Sequence, residues 1–551
     1  MKSQKKWEIL HATSPEKLNR DQVRTILLEN RGVKTKKEVE EFLHPKLSDV
    51  TVDHVEIDKA QLKKAVERVR NAIEKKEKIV VYGDYDVDGI TGTAILWESL
   101  HSKTTEVVPY IPHRVDEGYG LSVKGITNVL EQHPDTKVIV SVDNGIVANE
   151  AVTFANEKGL EVIITDHHTV GETLPDAYAI VHTTHVCGAS VGWLFAKEVI
   201  GEEENDHLSL VALATVADLV PLTGSNRTLL KYGLEILRKT TRPGLLALSK
   251  EAQIEVEKID VYTIGHVIAP RLNAMGRLES AMDSLRLLCT TNTKRAKELA
   301  DKLGATNRER QVLTSSTVEH AKQAVMHLNK KTKILFIHHE SYEEGVIGLV
   351  AGKLVETFYL PAIVLSKKDD VSKASARSIA GFNIIDAIRK TSDLLVNAGG
   401  HPMAAGFTVK TENIFLLQEA LEQIAEEAID ETMLLRILRI DMSLPLEMVD
   451  KTLYDVITSL SPFGMKCPEP IFVSDVVIQN VRQIGIEGKH LKLQVSPGDN
   501  KPMTYDAIAF GMGKYASDLK KGDKVQLVYA IAENTWNGRT NLQLLIKDIQ
   551  S

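Results

Sequence analysis

The segment EVIITDHH, Glu161 to His168, sets an apolar run directly against an acid and two histidines. Two similar segments precede it: IVVYGDYDVDG from Ile79 to Gly89 and KVIVSVDNG from Lys137 to Gly145. In each, a short β-branched run ends in acids or histidines and is followed by a turn or helix signal. Parallel sheets present ligands in this way, at the carboxyl ends of their strands. The pattern therefore predicts an α/β domain with a parallel sheet and a polar site at one edge.

The side chains at these strand ends are of the kind that hard divalent cations prefer. Asp84, Asp86 and Asp88 alternate along one segment, Asp143 ends another, and Asp218 lies downstream in ATVADLVPL. Carboxylates mixed with imidazole suit Mn²⁺ or Mg²⁺ better than zinc. A solvated turn could explain any one of these acids taken alone, but buried carboxylates that face each other need a cation or must protonate. We therefore predict a metal site, and the number of acids favours two ions, the arrangement that hydrolyses phosphodiesters.

The bulk composition limits the class of protein. The chain has 551 residues, of which 43% are hydrophobic and 26% charged, which is typical of a globular protein with several domains. The net charge of −8 argues against a basic coat for nucleic acid but not against a local groove. The three cysteines form no CxxC pair, and the N-terminus lacks the apolar core of a signal peptide. Because no apolar run approaches the roughly 18 residues of a membrane span, we predict a reduced, cytoplasmic protein with no membrane segment.

The pattern of strands and helices changes several times along the chain. Strands alternate with helices from Ile79 to about Asp218, and a second α/β region starts near Lys333. A long helix is predicted from Asn413 to Leu438, and short strands after Pro468 predict a small barrel of OB-fold length. The predicted domains are an N-terminal helical segment (1–58), a metal-binding α/β domain (59–225), a helical interdomain region (226–325), a smaller α/β domain (326–440) and a C-terminal barrel (441–551).

The order of these motifs resembles a known family. GDYDVDG, VDNG, TDHH and ATVADLVP resemble the four motifs of the DHH phosphoesterase superfamily. APRLNAMGRLESA (Ala269 to Ala281), SARSIAGFNI (Ser375 to Ile384), GGHPMAAG and the barrel segment TWNGRTNLQL resemble one branch, the RecJ single-stranded-DNA exonucleases. The resemblance covers nearly the whole chain beyond about residue 35. It implies a parallel-sheet DHH domain, a smaller α/β DHH-associated domain and a C-terminal OB-fold β-barrel.

Carried over residue by residue, the resemblance implies a site for two Mn²⁺ or Mg²⁺ ions. The ligands would be Asp84, Asp86, Asp88, Asp143, His167 and Asp218, and Asp143 would bridge the ions. Asp143, His167 and His168 would carry catalysis. One of the two histidines would contact the scissile phosphate rather than a metal, and the sequence leaves open which one.

A further set of residues is predicted to bind the substrate. Ser375 and Arg377, with the glycine-rich Gly399, Gly400 and His401, form a candidate anion pocket, because glycines let amides approach phosphate and arginine grips it bidentately. The resemblance implies that this pocket recognises the 5′ end. Candidates for contact with the DNA backbone, with interdomain packing as the alternative, are Arg114, Arg271, Asn273 and Arg277. In the barrel, the aromatic residues that could stack on bases or fill the core are Tyr505, Phe510, Tyr529 and Trp536. At Tyr342 and Glu343 the chain departs from the Trp-His pair usual in relatives.

Together these observations predict metal-dependent 5′→3′ hydrolysis of single-stranded DNA to mononucleotides, in DNA recombination and repair. A single-strand-binding protein and a RecQ-type helicase are candidate partners. One alternative is a DHH phosphodiesterase for oligoribonucleotides or cyclic dinucleotides, which would not need the OB-fold. Another is a non-catalytic, DNA-binding replisome scaffold, which would lose the metal-binding acids that this chain keeps.

Overall fold

The computed structural model describes residues 5–12, 18–114, 116–201, 206–327, 332–498, 503–536 and 538–550. The chain divides into two compact units. One unit comprises Met1–His44, Ile379–Phe382 and Glu427–Ser551, and the other comprises Pro45–Ser378 and Asn383–Glu426. Within the described ranges, no helix combines the length and the apolar character needed to cross a membrane.

In the larger unit, two regions of alternating strands and helices are separated by a helical stretch, residues 188–326, whereas the smaller unit is mostly β. In chain order the strands are β1 (Lys5–His11), β2 (Lys78–Tyr82), β3 (Val107–Tyr110), β4 (Thr136–Val142), β5 (Glu161–Asp166), β6 (Ala179–His182), β7 (Leu335–His339), β8 (Ala362–Ser366), β9 (Val371–Arg377), β10 (Leu395–His401), β11 (Ala404–Lys410), β12 (Arg436–Ser443), β13 (Phe472–Ile484), β14 (His490–Ser496), β15 (Tyr505–Ala509), β16 (Lys524–Trp536) and β17 (Arg539–Gln550). The helices are α1 (Arg20–Glu29), α2 (Lys36–Leu43), α3 (Lys59–Lys75), α4 (Val87–His101), α5 (Val123–Gln132), α6 (Asn149–Glu157), α7 (Gly188–Ile200), α8 (His207–Ala217), α9 (Gly224–Leu237), α10 (Pro243–Glu251), α11 (Val261–Thr263), α12 (Ala269–Leu278), α13 (Met282–Cys289), α14 (Thr293–Met326), α15 (Glu344–Phe358), α16 (Ile384–Arg389), α17 (Ile414–Ala428) and α18 (Lys451–Ser459).

The first sheet of the larger unit is parallel throughout, as the sequence predicts. Its strand order is β3-β2-β4-β5-β6. The strands β2, β4 and β5 are buried along nearly their whole length, which is typical of a sheet covered on both faces. Because β3 lies on one side of β2 and β4 on the other, the chain reverses direction across the sheet here. Such a switch point opens a crevice at the carboxyl ends of the strands, where the predicted ligands begin.

The second sheet of the larger unit forms a smaller α/β layer, with strand order β10-β11-β9-β8-β7. The strands β7 and β8 are parallel, whereas β9, β10 and β11 pair in antiparallel fashion. Helix α15 packs its buried apolar residues against β7 and β8. This sheet corresponds to the predicted DHH-associated domain.

The smaller unit contains a closed barrel, as predicted for an OB-fold. Its five strands follow the order β13-β14-β15-β17-β16, and pairing of β13 with β16 closes the sheet. Two further strands extend it, because β12 pairs in parallel with β13 and β1 in parallel with β12. A buried ion pair, Arg31 Nη1 to Asp441 Oδ1 at 2.9 Å, joins the segment after α1 to this extension.

Two sequence expectations are wrong in this unit. The first 58 residues were expected to be helical, but Lys5–His11 forms β1, whose partner strand begins at Arg436. The helix expected from Asn413 to Leu438 ends at Ala428 as α17, and Arg436–Leu438 belong to β12. Between them Asp430 accepts a hydrogen bond from Met433 N at 2.9 Å, which forms a turn. Both errors arise from strand pairing across more than 400 residues, which local patterns do not reveal.

Candidate metal centre and anion pocket

Three strand ends and one helix end bring the predicted metal ligands together. After β2, the loop with Asp84 leads into α4, and Asp86 caps that helix by accepting hydrogen bonds from Asp88 N at 2.9 Å and Gly89 N at 3.1 Å. Asp143 follows β4 with a positive φ of 63°. A left-handed backbone at a residue other than glycine is strained, and such strain is typical of functional sites. The histidines follow β5, and Asp218 follows α8.

The ligand atoms form two main groups, which a third, overlapping group connects. Asp84, Asp86 and Asp143 each place an oxygen within 4.8 Å of the others, and Asp88, His167 and Asp218 form a second group by the same measure. A third group, Asp143 with His167 and His168, shares one member with each of the first two. His167 Nε2 lies 3.1 Å from Asp143 Oδ1, so Asp143 is close to both main groups. This arrangement suits two cations with Asp143 between them.

The electrostatics of these acids calls for a cation. Burial, and then repulsion by neighbouring carboxylates, raises the pKa of Asp84 and of Asp143 well above the usual value. The same two causes raise the pKa of Asp218 to about 8. Among the described residues, neither oxygen of Asp84 has a hydrogen-bond partner. Asp143 Oδ1 and His167 Nε2 are 3.1 Å apart, but neither forms a hydrogen bond with the other or with a third group. Buried polar atoms without partners are costly, and an oxygen-rich set with one imidazole fits Mn²⁺ or Mg²⁺.

The N-terminus of α7 stabilises the negative charge of this site. Asp88 accepts hydrogen bonds from Gly188 N and Ala189 N, both at 2.7 Å. Helix N-termini carry a partial positive charge, which favours an ionised carboxylate. A Cβ at Gly188 would lie 2.6 Å from Asp143 Cβ and Oδ1, so only glycine allows the helix to approach this closely. Gly188 is not among the residues predicted from the sequence, because no spacing rule links it to the acids.

The two histidines of the DHH motif have different environments. His168 donates from Nδ1 to Asp166 Oδ1 at 2.8 Å, and its Nε2 lies 3.0 Å from the Tyr119 hydroxyl. Burial alone would lower the pKa of His168, but the hydrogen bond and the charge of Asp166 outweigh it and raise that pKa to about 9. Burial lowers the pKa of His167. A neutral His167 whose Nε2 has no hydrogen-bond partner suits a metal, whereas a cationic His168 suits a phosphate.

Four arginines form a second cluster in the same unit. Arg277 ends α12, Arg377 ends β9, Arg310 lies in α14, and Arg114 lies after β3 with its guanidinium 5.1 Å above the ring of Tyr85. Burial, and then the charges of the other three arginines, lowers the pKa of Arg277 to about 10. Like charges held together in a buried place are a prepared site for an anion. Arg310 is not among the site residues predicted from the sequence.

The first two turns of α15 add to this anion pocket. A Cβ at Gly348 would lie 3.0 Å from Ser375 Oγ and 3.3 Å from Arg377 Nη2, and Arg277 Nη1 donates to Gly345 O at 3.2 Å. The helix N-terminus therefore faces the arginines and contributes its own partial positive charge. In the preceding turn Tyr342 is buried, and its hydroxyl bonds to His320 Nδ1 at 2.8 Å.

The glycine-rich strand β10 lies in the same sheet as the pocket residues Ser375 and Arg377, but one strand separates it from them. Gly399 pairs with Gly406 and Gly406 with Ser375, while His401 pairs through Ala404 with Arg377. Residues directly opposite in register point to the same face, and two strand spacings place β10 about 10 Å from β9. A Cβ at Gly400, whose φ is +142°, would lie 2.5 Å from Ala404 O. The strand therefore presents an exposed, small-residue surface beside the arginines.

Two predicted substrate contacts are occupied by packing instead. Arg271 donates to Glu251 Oε2 at 2.8 Å and to Val267 O at 2.9 Å. Asn273 Oδ1 accepts from Val87 N at 3.1 Å and so fixes the start of α4. Interdomain packing therefore accounts for the contacts of Arg271 and Asn273 better than binding to the DNA backbone does.

The barrel aromatics differ in exposure. Tyr529 is fully buried and its hydroxyl bonds to Ser474 Oγ at 2.8 Å, so it is a core residue rather than a stacking platform. Tyr505 is half-buried, and its hydroxyl donates a hydrogen bond to Val449 O at 2.6 Å. Phe510, in contrast, is 64% exposed. The side chain of Trp536 lies outside the described residues. A groove of about 940 Å³ on the barrel is lined by Lys492, Thr504, Tyr505, Asp506, Asn534, Arg539, Asn541, Leu542 and Gln543.

Comparison with known proteins shows which chains this one resembles. Residues 78–218 match the DHH family, N-terminal domain, residues 329–427 match the DHHA1 domain, and residues 440–548 match the RecJ OB domain. The chain is 36% identical over 534 residues to the single-stranded-DNA-specific exonuclease RecJ of Bacillus subtilis, covering 95% of this chain and 67% of that one. It is 30% identical over 558 residues to the RecJ of Escherichia coli, covering 95% of both chains. The crystal structure of RecJ in complex with Mn²⁺ from Thermus thermophilus matches with a TM-score of 0.84 and 27% identity, covering 99% of this chain and 79% of that one.

The repulsion between buried acids leads to a prediction about stability. The change Asp84→Asn replaces an ionisable carboxyl with a neutral amide of similar size. We expect it to raise the melting temperature in EDTA and to remove most of the stabilisation that Mn²⁺ gives the unsubstituted protein. That stabilisation should be about 2.7 kcal/mol at an ion concentration 100 times the Kd. Differential scanning calorimetry with and without Mn²⁺ measures both effects, and the surface variant Glu157→Gln is the control. A lower melting temperature in EDTA together with a full Mn²⁺ response would contradict the metal assignment.

Proposed function

The chain belongs to the RecJ family of single-stranded-DNA-specific exonucleases, and from that membership we propose that it removes nucleotides from the 5′ end of single-stranded DNA. It is a metal-dependent hydrolase of DNA phosphodiesters, and its cofactor is Mn²⁺ or Mg²⁺. The observation that carries the proposal is the convergence of six metal-ligating side chains beside a pocket of four arginines. Recombination and repair are the proposed setting of this activity.

The two alternatives have less support. A phosphodiesterase for oligoribonucleotides or cyclic dinucleotides would not need the barrel, yet residues 440–548 match the RecJ OB domain. A non-catalytic scaffold would not need buried carboxylates that repel each other. In this chain all the predicted acids are present and lie close together.

The proposed metal ligands fall into the two main groups seen in the geometry. Asp84, Asp86 and Asp143 would hold one ion, and Asp88, His167 and Asp218 the other. When bound, two ions lower the pKa of water and neutralise the charge that develops on the phosphate oxygens. The protein's own contribution is to fix the ligands: α7 holds Asp88 through two amides, and the strained backbone of Asp143 turns its carboxylate toward both groups.

His168 is proposed to contact the scissile phosphate. As a cation it can donate a hydrogen bond from Nε2 to an oxygen on the reacting phosphorus, where negative charge increases during the reaction. Asp166 holds the opposite ring nitrogen and accepts hydrogen bonds from His167 N at 2.7 Å and Ile146 N at 2.9 Å. His182 Nε2 bonds to His168 O at 2.7 Å, so the backbone of the motif is fixed as well.

The arginine pocket supports the proposed polarity and product size. A terminal phosphate carries more charge than an internal one, and four arginines with a helix N-terminus suit such a group. Arg114 stacks on Tyr85, the neighbour of Asp84, so the pocket begins directly beside the metal centre. A short distance between the bound end and the cut bond favours release of mononucleotides.

Other parts of the proposal rest on the family resemblance. The exposed groove and Phe510 are the proposed contacts of the barrel with DNA, since OB-folds bind single strands through grooves and stacking. A single-strand-binding protein and a RecQ-type helicase are proposed partners. A cytoplasmic location is proposed from the DNA substrate and from the cysteines, Cys187, Cys289 and Cys467, which are thiols rather than disulfides. The predicted domain limits are proposed as well, supported by the matched spans 78–218, 329–427 and 440–548.

The change Asp143→Ala tests the proposed reaction. It removes the ligand close to both groups, so turnover should fall to background while single-stranded DNA still binds. End-labelled single-stranded DNA, short RNA and cyclic dinucleotides are each incubated with Mn²⁺, Mg²⁺ or EDTA, and Glu157→Ala is the control. We expect metal-dependent cleavage of the DNA by the unsubstituted protein and by Glu157→Ala only. Preferred cleavage of RNA or cyclic dinucleotides, or cleavage by Asp143→Ala at saturating Mn²⁺, would contradict the proposal.

The change Arg377→Ala tests the polarity. A charge-assisted hydrogen bond to phosphate contributes about 1.5–3 kcal/mol, so kcat/KM should fall roughly tenfold to hundredfold on 5′-phosphorylated strands. The loss should be smaller on 5′-hydroxyl strands of the same sequence. Arg271→Ala is the matched control, because its packing role predicts no discrimination between the two ends. Equal losses on both substrates for Arg377→Ala would show that this arginine does not bind the terminal phosphate.

A further inference from the structure

Tyr119 lies on a short loop that contacts residues next to the proposed metal ligands. Its neighbours Gly118 and Gly120 have positive φ angles of 86° and 64°, so the loop needs glycine on both sides of the tyrosine. The Tyr82 hydroxyl donates to Gly120 O at 3.2 Å, and a Cβ at Gly120 would lie 3.2 Å from Asn144 Cβ. Tyr82 ends the strand before Asp84, and Asn144 follows Asp143. The residues next to the metal ligands therefore set the position of Tyr119.

The side chain of Tyr119 points at His168 while remaining largely in solvent. Its hydroxyl lies 3.0 Å from His168 Nε2, and the two rings are nearly perpendicular at 83°. On its other side the ring contacts Tyr85 edge to face, with 6.0 Å between centroids. Even so, Tyr119 is 54% exposed. A tyrosine that served only to fill the core would be buried, so the exposure directs attention to the hydroxyl.

The hydroxyl completes a chain of three groups. Asp166 Oδ1 holds Nδ1 of His168 at 2.8 Å, which leaves Nε2 as the ring nitrogen available to the metal centre. A hydroxyl can both donate and accept, so it remains a partner for Nε2 whichever protonation state the imidazole takes. With a partner at each end, the imidazole ring cannot rotate freely about its bond to Cβ.

We propose that Tyr119 is a positioning residue for the nuclease reaction: its hydroxyl fixes the orientation of the His168 ring before the strand binds, and an oxygen of the scissile phosphate then replaces the hydroxyl at Nε2. The inference rests on the proposed function of the metal centre. It predicts that Tyr119 affects the reacting phosphate but not the binding of the DNA strand, because the arginine pocket binds the strand. Loss of the hydroxyl should therefore lower kcat and leave KM nearly unchanged.

The change Tyr119→Phe removes the hydroxyl and keeps the ring. With a 5′-phosphorylated single strand and saturating Mn²⁺, we expect kcat to fall about tenfold, as for the loss of one hydrogen bond that fixes the ring. KM should stay within about twofold. Tyr262→Phe is the matched control, since Tyr262 is also exposed, at 66%, and also stacks on a histidine, His266, at 4.3 Å. An unchanged kcat for Tyr119→Phe, or a loss confined to KM, would overturn the inference.

A double-mutant cycle separates positioning from a purely structural role. Single-turnover rates with excess enzyme are compared for His168→Ala and for His168→Ala combined with Tyr119→Phe. If the hydroxyl acts through His168, the second change has no further effect once the imidazole is gone. The same tenfold loss in both backgrounds would overturn the inference. Absence of cleavage by the unsubstituted protein would contradict the proposed function itself, whereas cleavage without any loss in Tyr119→Phe contradicts only the role of Tyr119.

Discussion

The repulsion between buried carboxylates at one sheet edge is the constraint on which this structure depends. Asp84, Asp88 and Asp143 are nearly or fully buried, and burial together with neighbouring charge raises the pKa of Asp84 and Asp143. No fold would gather these groups for stability alone, since each ion removed from water costs several kcal/mol. The parallel sheet collects them because its order places β2, β4 and β5 side by side with their carboxyl ends together. A divalent cation in each proposed ligand group would turn this repulsion into attraction.

A helix N-terminus contributes to both the metal centre and the arginine pocket. The N-terminus of α7 holds Asp88 through two amides, and the N-terminus of α15 faces the arginine pocket. In both places a glycine permits the approach: Gly188 beside Asp143, and Gly348 beside Ser375 and Arg377. The acids would hold cations on one side and the arginines form a cationic pocket on the other. With ions bound, both halves of the site would therefore present positive charge, which suits the proposed scissile phosphodiester and terminal phosphate.

The sequence predicts the parts of this structure that depend on local pattern. β-branched runs that end in acids correctly predicted β2, β4 and β5 and the closeness of the metal ligands, because strand order brings their ends together. What it missed depends on distant partners. β1 pairs with a strand more than 400 residues away, and Arg271 forms an ion pair with Glu251. The proposed assignment of His167 to a metal and His168 to the phosphate also needed the structure, since the contacts of His168 with Asp166 and Tyr119 distinguish the two adjacent imidazoles.

The central claim is that the gathered carboxylates exist to hold two cations with Asp143 between them. Anomalous scattering from crystals grown with Mn²⁺, recorded at the manganese edge, tests it most directly. The account predicts two peaks about 3.5–4 Å apart. One should lie among Asp84, Asp86 and Asp143, and the other among Asp88, His167 and Asp218, with a carboxylate oxygen of Asp143 close to both. A single peak, or peaks away from Asp143, would contradict it.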